Sequence, residues 1–159
     1  MSVMATNGST AIHRRVEALR EGRDPTLIAK MPSGWAVFGE RQFLRGYALL
    51  LPDPVVPTLN DLSSPARDLF LSDMGRLGDA LLAATGALRI NYAMFGNLEP
   101  ALHAHVVPRY RDEPSPLDVA HPWAYDWNAA SVFDPVGEAA LLAAVRTSLV
   151  SSVRQSSRA

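Results

Sequence analysis

The most informative part of the sequence is GNLEPALHAHVVPR, which spans residues 96–109. Residues 102–108 are predicted to form a strand, in which successive side chains alternate between the two faces of a sheet. His103 and His105 therefore share one face and lie about 7 Å apart along the strand. Ala101 and Val107 share that face, whereas Leu102, Ala104 and Val106 point to the other, apolar face. The pattern predicts a strand with a reactive side and a packed side.

Two neighbouring imidazoles suit chemistry at phosphorus. A neutral imidazole is a good nucleophile at neutral pH, because no strong base is needed to activate it. A second imidazole beside it can hold a phosphate oxygen or transfer a proton. Two other interpretations of His-x-His remain open. The pair can be half-buried histidines with a packing role, or two zinc ligands, for which His13 or His121 would have to supply the third.

The rest of the chain predicts an α+β fold. One helix is predicted over residues 10–21 with Thr10 as N-cap, and a longer one over 65–85 with Ser64 as N-cap and Pro65 in the first turn. The remaining elements are strands over residues 26–31, 35–39, 46–51 and 88–95, and a last helix over 134–150. Short connections between the early strands favour a mostly antiparallel sheet.

Composition limits the possible classes of protein. The 159 residues, of which 48% are hydrophobic, fit a single domain at residues 10–150 with flexible ends at 1–9 and 151–159. The formal net charge of −1 argues against a nucleic-acid polymer or a membrane surface as partner. The chain has no cysteine, signal peptide or apolar spanning segment, which indicates a soluble cytoplasmic protein without disulfides.

Residues 96–109 resemble the signature of the histidine triad family. That signature has three histidines separated by single apolar residues, followed by two apolar residues and often Pro-Arg. The similarity is to the branch with a Gly-Asn loop before the motif, and it extends loosely over residues 25–110. Within that range, GYALLLP at 46–52 looks like the family's second strand, and residues 62–84 look like its central helix. One departure is that Ala101 stands where the family has its first histidine.

The resemblance implies a fold, an activity and a mechanism. The fold would be a twisted, mostly antiparallel sheet with a long central helix and a C-terminal helix. The activity would be that of a hydrolase or nucleotidyl transferase acting at the α-phosphate of nucleotide conjugates, such as dinucleoside polyphosphates or nucleoside phosphoramidates. By position in the motif, His103 would be the nucleophile that carries the nucleotide, and His105 would stabilise charge on the phosphoryl oxygens. The resemblance also implies a homodimer and chemistry without a metal or other cofactor.

Three more polar residues are candidates for substrate binding. By resemblance, Asn97 matches a loop amide that approaches the phosphate, and Asn91 lies near a polar residue that contacts the ribose or phosphate. Arg109 could offset phosphate charge. Each has a simpler interpretation: a turn for Asn97, a local hydrogen bond at a strand edge for Asn91, and a solvated surface position for Arg109.

Two features leave further alternatives open. Trp123, Tyr125 and Trp127 alternate in a loose segment, where they could stack on a base, cover the domain or form a dimer contact. The replacement at Ala101 keeps open a nucleotide-binding or regulatory protein with little turnover. In an active enzyme, other groups would have to hold His103, most plausibly main-chain carbonyls and Asn97.

Overall fold

The computed structural model of the protein describes residues 9–158, except for the side chains of 152–156. Residues 1–8 and 159, which belong to the predicted flexible ends, lie outside the described residues. The elements, in order along the chain, are α1 (Ala11–Arg20), β1 (Leu27–Met31), β2 (Gly34–Phe38), β3 (Ala48–Pro52), α2 (Ser64–Thr85), β4 (Arg89–Ala93), β5 (Ala104–Arg109) and α3 (Ala139–Ser156).

The five strands form one sheet in the order β1-β2-β3-β5-β4, and every neighbouring pair is antiparallel. The histidine strand β5 is therefore interior, with Leu49 of β3 and Ala93 of β4 on either side of His105. The α+β fold with an antiparallel sheet, predicted from the order of elements, is confirmed. The sheet places the histidine strand next to β4, which lies at one edge.

Helices cover both faces of the sheet. On one face, Ala104 and Val106 of β5 pack in a core with apolar residues of α2 and α3, such as Phe70 and Val145. On the other face, α1 packs its buried residues Ile12, Val16 and Leu19 against the alternate residues of β2 and β3. The alternation predicted for the motif is thus observed, because Leu102, Ala104 and Val106 pack toward α2 and α3, whereas Ala101 and Val107 pack with α1 on the histidine side.

The helix signals are confirmed at α1 and shifted by one residue at α2. Thr10 caps α1, and its Oγ1 accepts a hydrogen bond from the His13 backbone N–H at 3.2 Å. The N-cap of α2 is Ser63 rather than the predicted Ser64, and its Oγ accepts from the Ala66 N–H at 3.4 Å. Proline suits either of the first two helical positions, because neither N–H has a partner within the helix. The proline therefore could not discriminate between the two serines.

The last helix begins later and ends later than predicted. It was expected from Asp134 to about Val150, but α3 spans Ala139–Ser156. Residues 135–138 form a turn in which Asp134 Oδ1 accepts a hydrogen bond from the Val136 N–H at 3.0 Å. Aspartate side chains often bond to nearby backbone N–H groups in this way, and this bonding competes with helix formation. Across residues 9–158, no helix is long and apolar enough to span a membrane.

Candidate active site

The two histidines of the motif come together on the α1 side of the sheet. His103 immediately precedes β5 and His105 is its second residue. Their ring centroids lie 4.9 Å apart at an interplanar angle of 74°, and each residue is 8% exposed. The predicted juxtaposition is therefore present, in a site that is largely shielded from water but still open at the rings.

A main-chain carbonyl holds His103. Its Nδ1 lies 2.7 Å from the carbonyl oxygen of Ala101. A carbonyl can only accept, so Nδ1 carries a proton, and in the neutral ring Nε2 then keeps its lone pair. Ala101, which stands where the resemblance would place a first histidine, is fully buried and supports the ring through its backbone. Asn97, the other expected support, lies exposed in the loop before the motif.

Tyr47 contacts His105, and the sequence analysis did not identify it as a site residue. The Tyr47 hydroxyl lies 2.7 Å from His105 Nδ1, although the two residues are 58 positions apart in sequence. Burial, with a smaller effect of charge on His103, lowers the pKa of His105 to about 4, so its imidazole is neutral at physiological pH. The available signal was a tyrosine at the start of the segment that resembles the family's second strand.

The aromatic segment after the motif lies over the histidines. Trp123 meets the His105 ring edge-to-face at 4.9 Å, and Trp127 meets it at 6.1 Å. Tyr125 points elsewhere and donates a hydrogen bond to Glu113 at 2.6 Å. Of the three alternating aromatic residues, the two tryptophans therefore form a wall beside His105. The tyrosine anchors the segment through its hydrogen bond to Glu113.

Arg109 and Asn91 meet in a hydrogen-bond network away from His103. Arg109 is 7% exposed, so it is not a solvated surface residue. Its guanidinium donates to Glu113 Oε2 at 2.8 Å, to Asn91 Oδ1 at 2.7 Å, and to the carbonyl oxygens of Ala120 and Leu117 at 2.8 and 2.7 Å. Six residues of strand separate it from His103, which is about 20 Å along the chain. The structure therefore brings Arg109 to Asn91 and Glu113 rather than to a phosphate held at His103.

Two cavities flank the histidine pair. One, of about 290 Å³, opens beside His103 between Pro57–Asn60 and the Met94–Gly96 segment. The other, of about 510 Å³, is lined by Asn91, Phe95, Val107, His121 and Trp123. A further cavity of about 780 Å³ lies between α1 and residues 127–133 and includes neither histidine of the motif. The first cavity therefore offers space to a substrate at His103, and the second adjoins it because Phe95 lines both.

The zinc interpretation requires a third ligand near the pair. In the part of the chain that the structure describes, no three histidine, cysteine, aspartate or glutamate side chains are grouped so that they could hold a metal ion. His13 lies exposed on α1, where its Nδ1 is 2.8 Å from the Thr10 hydroxyl. His121 is exposed at the wall of the larger flanking cavity.

The similarity of this chain to known proteins lies in its structure. No family model matches the sequence, and no curated protein matches it. A histidine triad protein from Marinobacter aquaeolei superimposes with a TM-score of 0.71 at 18% identity, over 91% of this chain and 98% of that chain. The chain has the histidine triad fold. A histidine triad protein from Bradyrhizobium japonicum has this fold with a TM-score of 0.69 at 23% identity, over 89% of this chain and 99% of that chain.

A third similar structure is that of a hypothetical histidine triad nucleotide-binding protein from Sulfolobus tokodaii. It superimposes with a TM-score of 0.67 at 11% identity. The match covers 86% of this chain and 91% of that chain. The fold expected from the motif is therefore confirmed over most of the chain.

Proposed function

We propose that the protein is a hydrolase or nucleotidyl transferase that acts at the α-phosphate of nucleotide conjugates through a nucleotidyl intermediate on His103. The observation that carries the proposal is the hydrogen bond from His103 Nδ1 to the Ala101 carbonyl, 2.7 Å long. It leaves the Nε2 lone pair free to attack and supports the positive charge that the ring acquires when it does. The histidine triad fold and the nucleotide-binding description of one similar structure support a nucleotide as the substrate.

The proposed reaction has two steps. His103 Nε2 forms a bond to the α-phosphorus, and the bond from phosphorus to the leaving group breaks, so that the leaving group departs with the electron pair and is protonated. Water or another acceptor then attacks the phosphorus, the bond from phosphorus to His103 breaks, and the nucleotide is released with loss of a proton. We propose that His105, neutral and 4.9 Å away ring to ring, donates a hydrogen bond to a phosphoryl oxygen in both steps.

The flanking cavities suggest where the two halves of a conjugate would lie. We place the nucleoside in the cavity beside His103, and the leaving group in the larger cavity beside Trp123. Asn97 follows Gly96 at the rim of the first cavity, and Asn91 lines the second, so both remain proposed substrate contacts. For Arg109 we propose an indirect role, in which its network holds Asn91 and the segment that carries Trp123.

A covalent-trapping experiment tests the proposal. The protein is mixed with a labelled dinucleoside polyphosphate or nucleoside phosphoramidate, quenched in alkaline denaturant, and weighed intact by mass spectrometry. We expect a mass gain of one nucleoside monophosphate less water, located by peptide mapping on His103. The exposed His13→Ala variant is the matched control and should keep the adduct. Tight nucleotide binding with neither adduct nor turnover across the panel would contradict the proposal and favour a binding protein.

We also propose that the protein is a homodimer that pairs through β4. Among residues 9–158 this strand pairs with β5 alone, which leaves its outer edge unpaired there, and exposed apolar residues lie along it, with Leu88 45% and Tyr92 43% exposed. Two copies related by a twofold axis can join these edges in an isologous interface. Light scattering at micromolar concentration should give about twice 17.2 kDa.

A pair of variants locates the dimer interface. Leu88→Lys should shift the protein toward the monomer, because it places a charge at the proposed contact. Val136→Lys is the matched control, since this residue is 84% exposed in the turn before α3, and it should leave the mass unchanged. A stable monomer of the unmodified protein at micromolar concentration would overturn the dimer proposal.

A further inference from the structure

Tyr47 is held rigidly against His105. It is 4% exposed and packs between Phe43, at 4.9 Å between ring centroids, and Trp127, at 5.1 Å. Gly39 lies against the same ring, and a Cβ built there would be 2.1 Å from Tyr47 Cε1. The Tyr47 carbonyl also accepts from the Gly39 N–H at 2.9 Å, which anchors the backbone. The hydroxyl therefore has little freedom to leave His105 Nδ1.

The proton positions in this pair follow from hydrogen-bond capacity. Burial raises the pKa of the Tyr47 hydroxyl, so it keeps its proton, and the neutral imidazole of His105 carries one N–H. If Nδ1 carried the imidazole proton, the tyrosine oxygen would accept it and the buried hydroxyl proton would need another acceptor. In the described residues, the hydroxyl's hydrogen-bond partner is His105 Nδ1. Donation from Tyr47 to Nδ1 satisfies the hydroxyl and puts the imidazole proton on Nε2.

We infer that Tyr47 is a positioning residue that holds His105 in the tautomer with its proton on Nε2, so that His105 acts as a hydrogen-bond donor to the phosphate. The two imidazoles thereby acquire opposite roles. A carbonyl acceptor at His103 Nδ1 makes the Nε2 atom of that ring a nucleophile, and a hydroxyl donor at His105 Nδ1 makes the Nε2 atom of that ring a donor. The catalytic use of this arrangement rests on the proposed function.

Removal of one oxygen atom tests the inference. Tyr47→Phe keeps the packed ring but lets the His105 proton move to Nδ1. We expect the single-turnover rate of adduct formation to fall about 10- to 100-fold, with little change in substrate affinity. Tyr110→Phe is the matched control, because its hydroxyl donates to the Arg45 carbonyl instead, and it should leave the rate unchanged.

Nitrogen NMR of histidine-labelled protein reads the tautomer directly and independently of activity. In the unmodified protein, long-range couplings from the ring protons should identify His105 as the Nε2–H form, and Tyr47→Phe should shift it toward Nδ1–H. An Nδ1–H tautomer in the unmodified protein would overturn the inference, whatever the variant does. An unchanged rate and tautomer in a folded Tyr47→Phe variant would overturn it as well. Failure of the proposed function is a different result, namely the absence of an adduct on His103 in the unmodified protein.

Discussion

Replacing His103 with alanine should lower the rate of nucleotide release by at least about three orders of magnitude, or roughly 4 kcal/mol of barrier. The variant removes the atom that attacks phosphorus, whereas the neighbouring imidazole cannot take its place, because His105 Nδ1 is engaged by Tyr47 and we infer that its Nε2 carries a proton. The measurement is a single-turnover assay with a labelled nucleotide conjugate, so that product release does not mask the chemistry. Thermal unfolding followed by circular dichroism checks that the variant is folded.

Chemical rescue makes the His103 test specific. In His103→Gly, the missing side chain leaves space beside the 290 Å³ cavity, and added imidazole should restore part of the turnover as an external nucleophile. His13→Ala, which alters an exposed histidine on α1, should retain full activity without imidazole. Near-normal turnover by a folded His103→Ala variant would rule out the covalent mechanism.

Replacing Arg109 with methionine should lower the free energy of unfolding by about 3 kcal/mol. The side chains of Arg109 and Glu113 are 8% and 3% exposed, and their closest nitrogen and oxygen atoms are 2.8 Å apart. Methionine keeps much of the volume but leaves the Glu113 carboxylate buried without its cation. It also removes the donors to Asn91 and to the carbonyls of Leu117 and Ala120. Urea denaturation at neutral pH measures the loss.

Two further variants show whether burial of the ion pair is the cause. Arg45→Met breaks an exposed pair with Glu138, whose side chains are 54% and 31% exposed, and should cost less than about 1 kcal/mol. Glu113→Gln added to Arg109→Met removes the unpaired charge and should recover part of the stability. If Arg109→Met costs no more than Arg45→Met, the buried network does not stabilise the segment that covers the site.

Local patterns in the sequence determined most of the fold. The alternation in residues 102–108 placed His103 and His105 on one face and Leu102, Ala104 and Val106 on the other, because each side chain's direction in a strand depends only on its position in the pleat. Thr10 marked the start of α1 for an equally local reason, since a cap acts on backbone groups a few residues away. The same locality explains the errors at Ser64 and Asp134, where two short-range hydrogen-bonding choices competed.

Only the tertiary structure decided the partners of the buried polar groups. Tyr47 reaches His105 because β3 lies next to β5 in the sheet, and strand order is a long-range property that no local pattern encodes. Arg109 was expected either to face a phosphate or to be solvated, but the fold of residues 110–125 encloses it, and a buried guanidinium must then find acceptors within the protein. The residue types were therefore visible in the sequence, whereas burial and strand adjacency determined which of them interact.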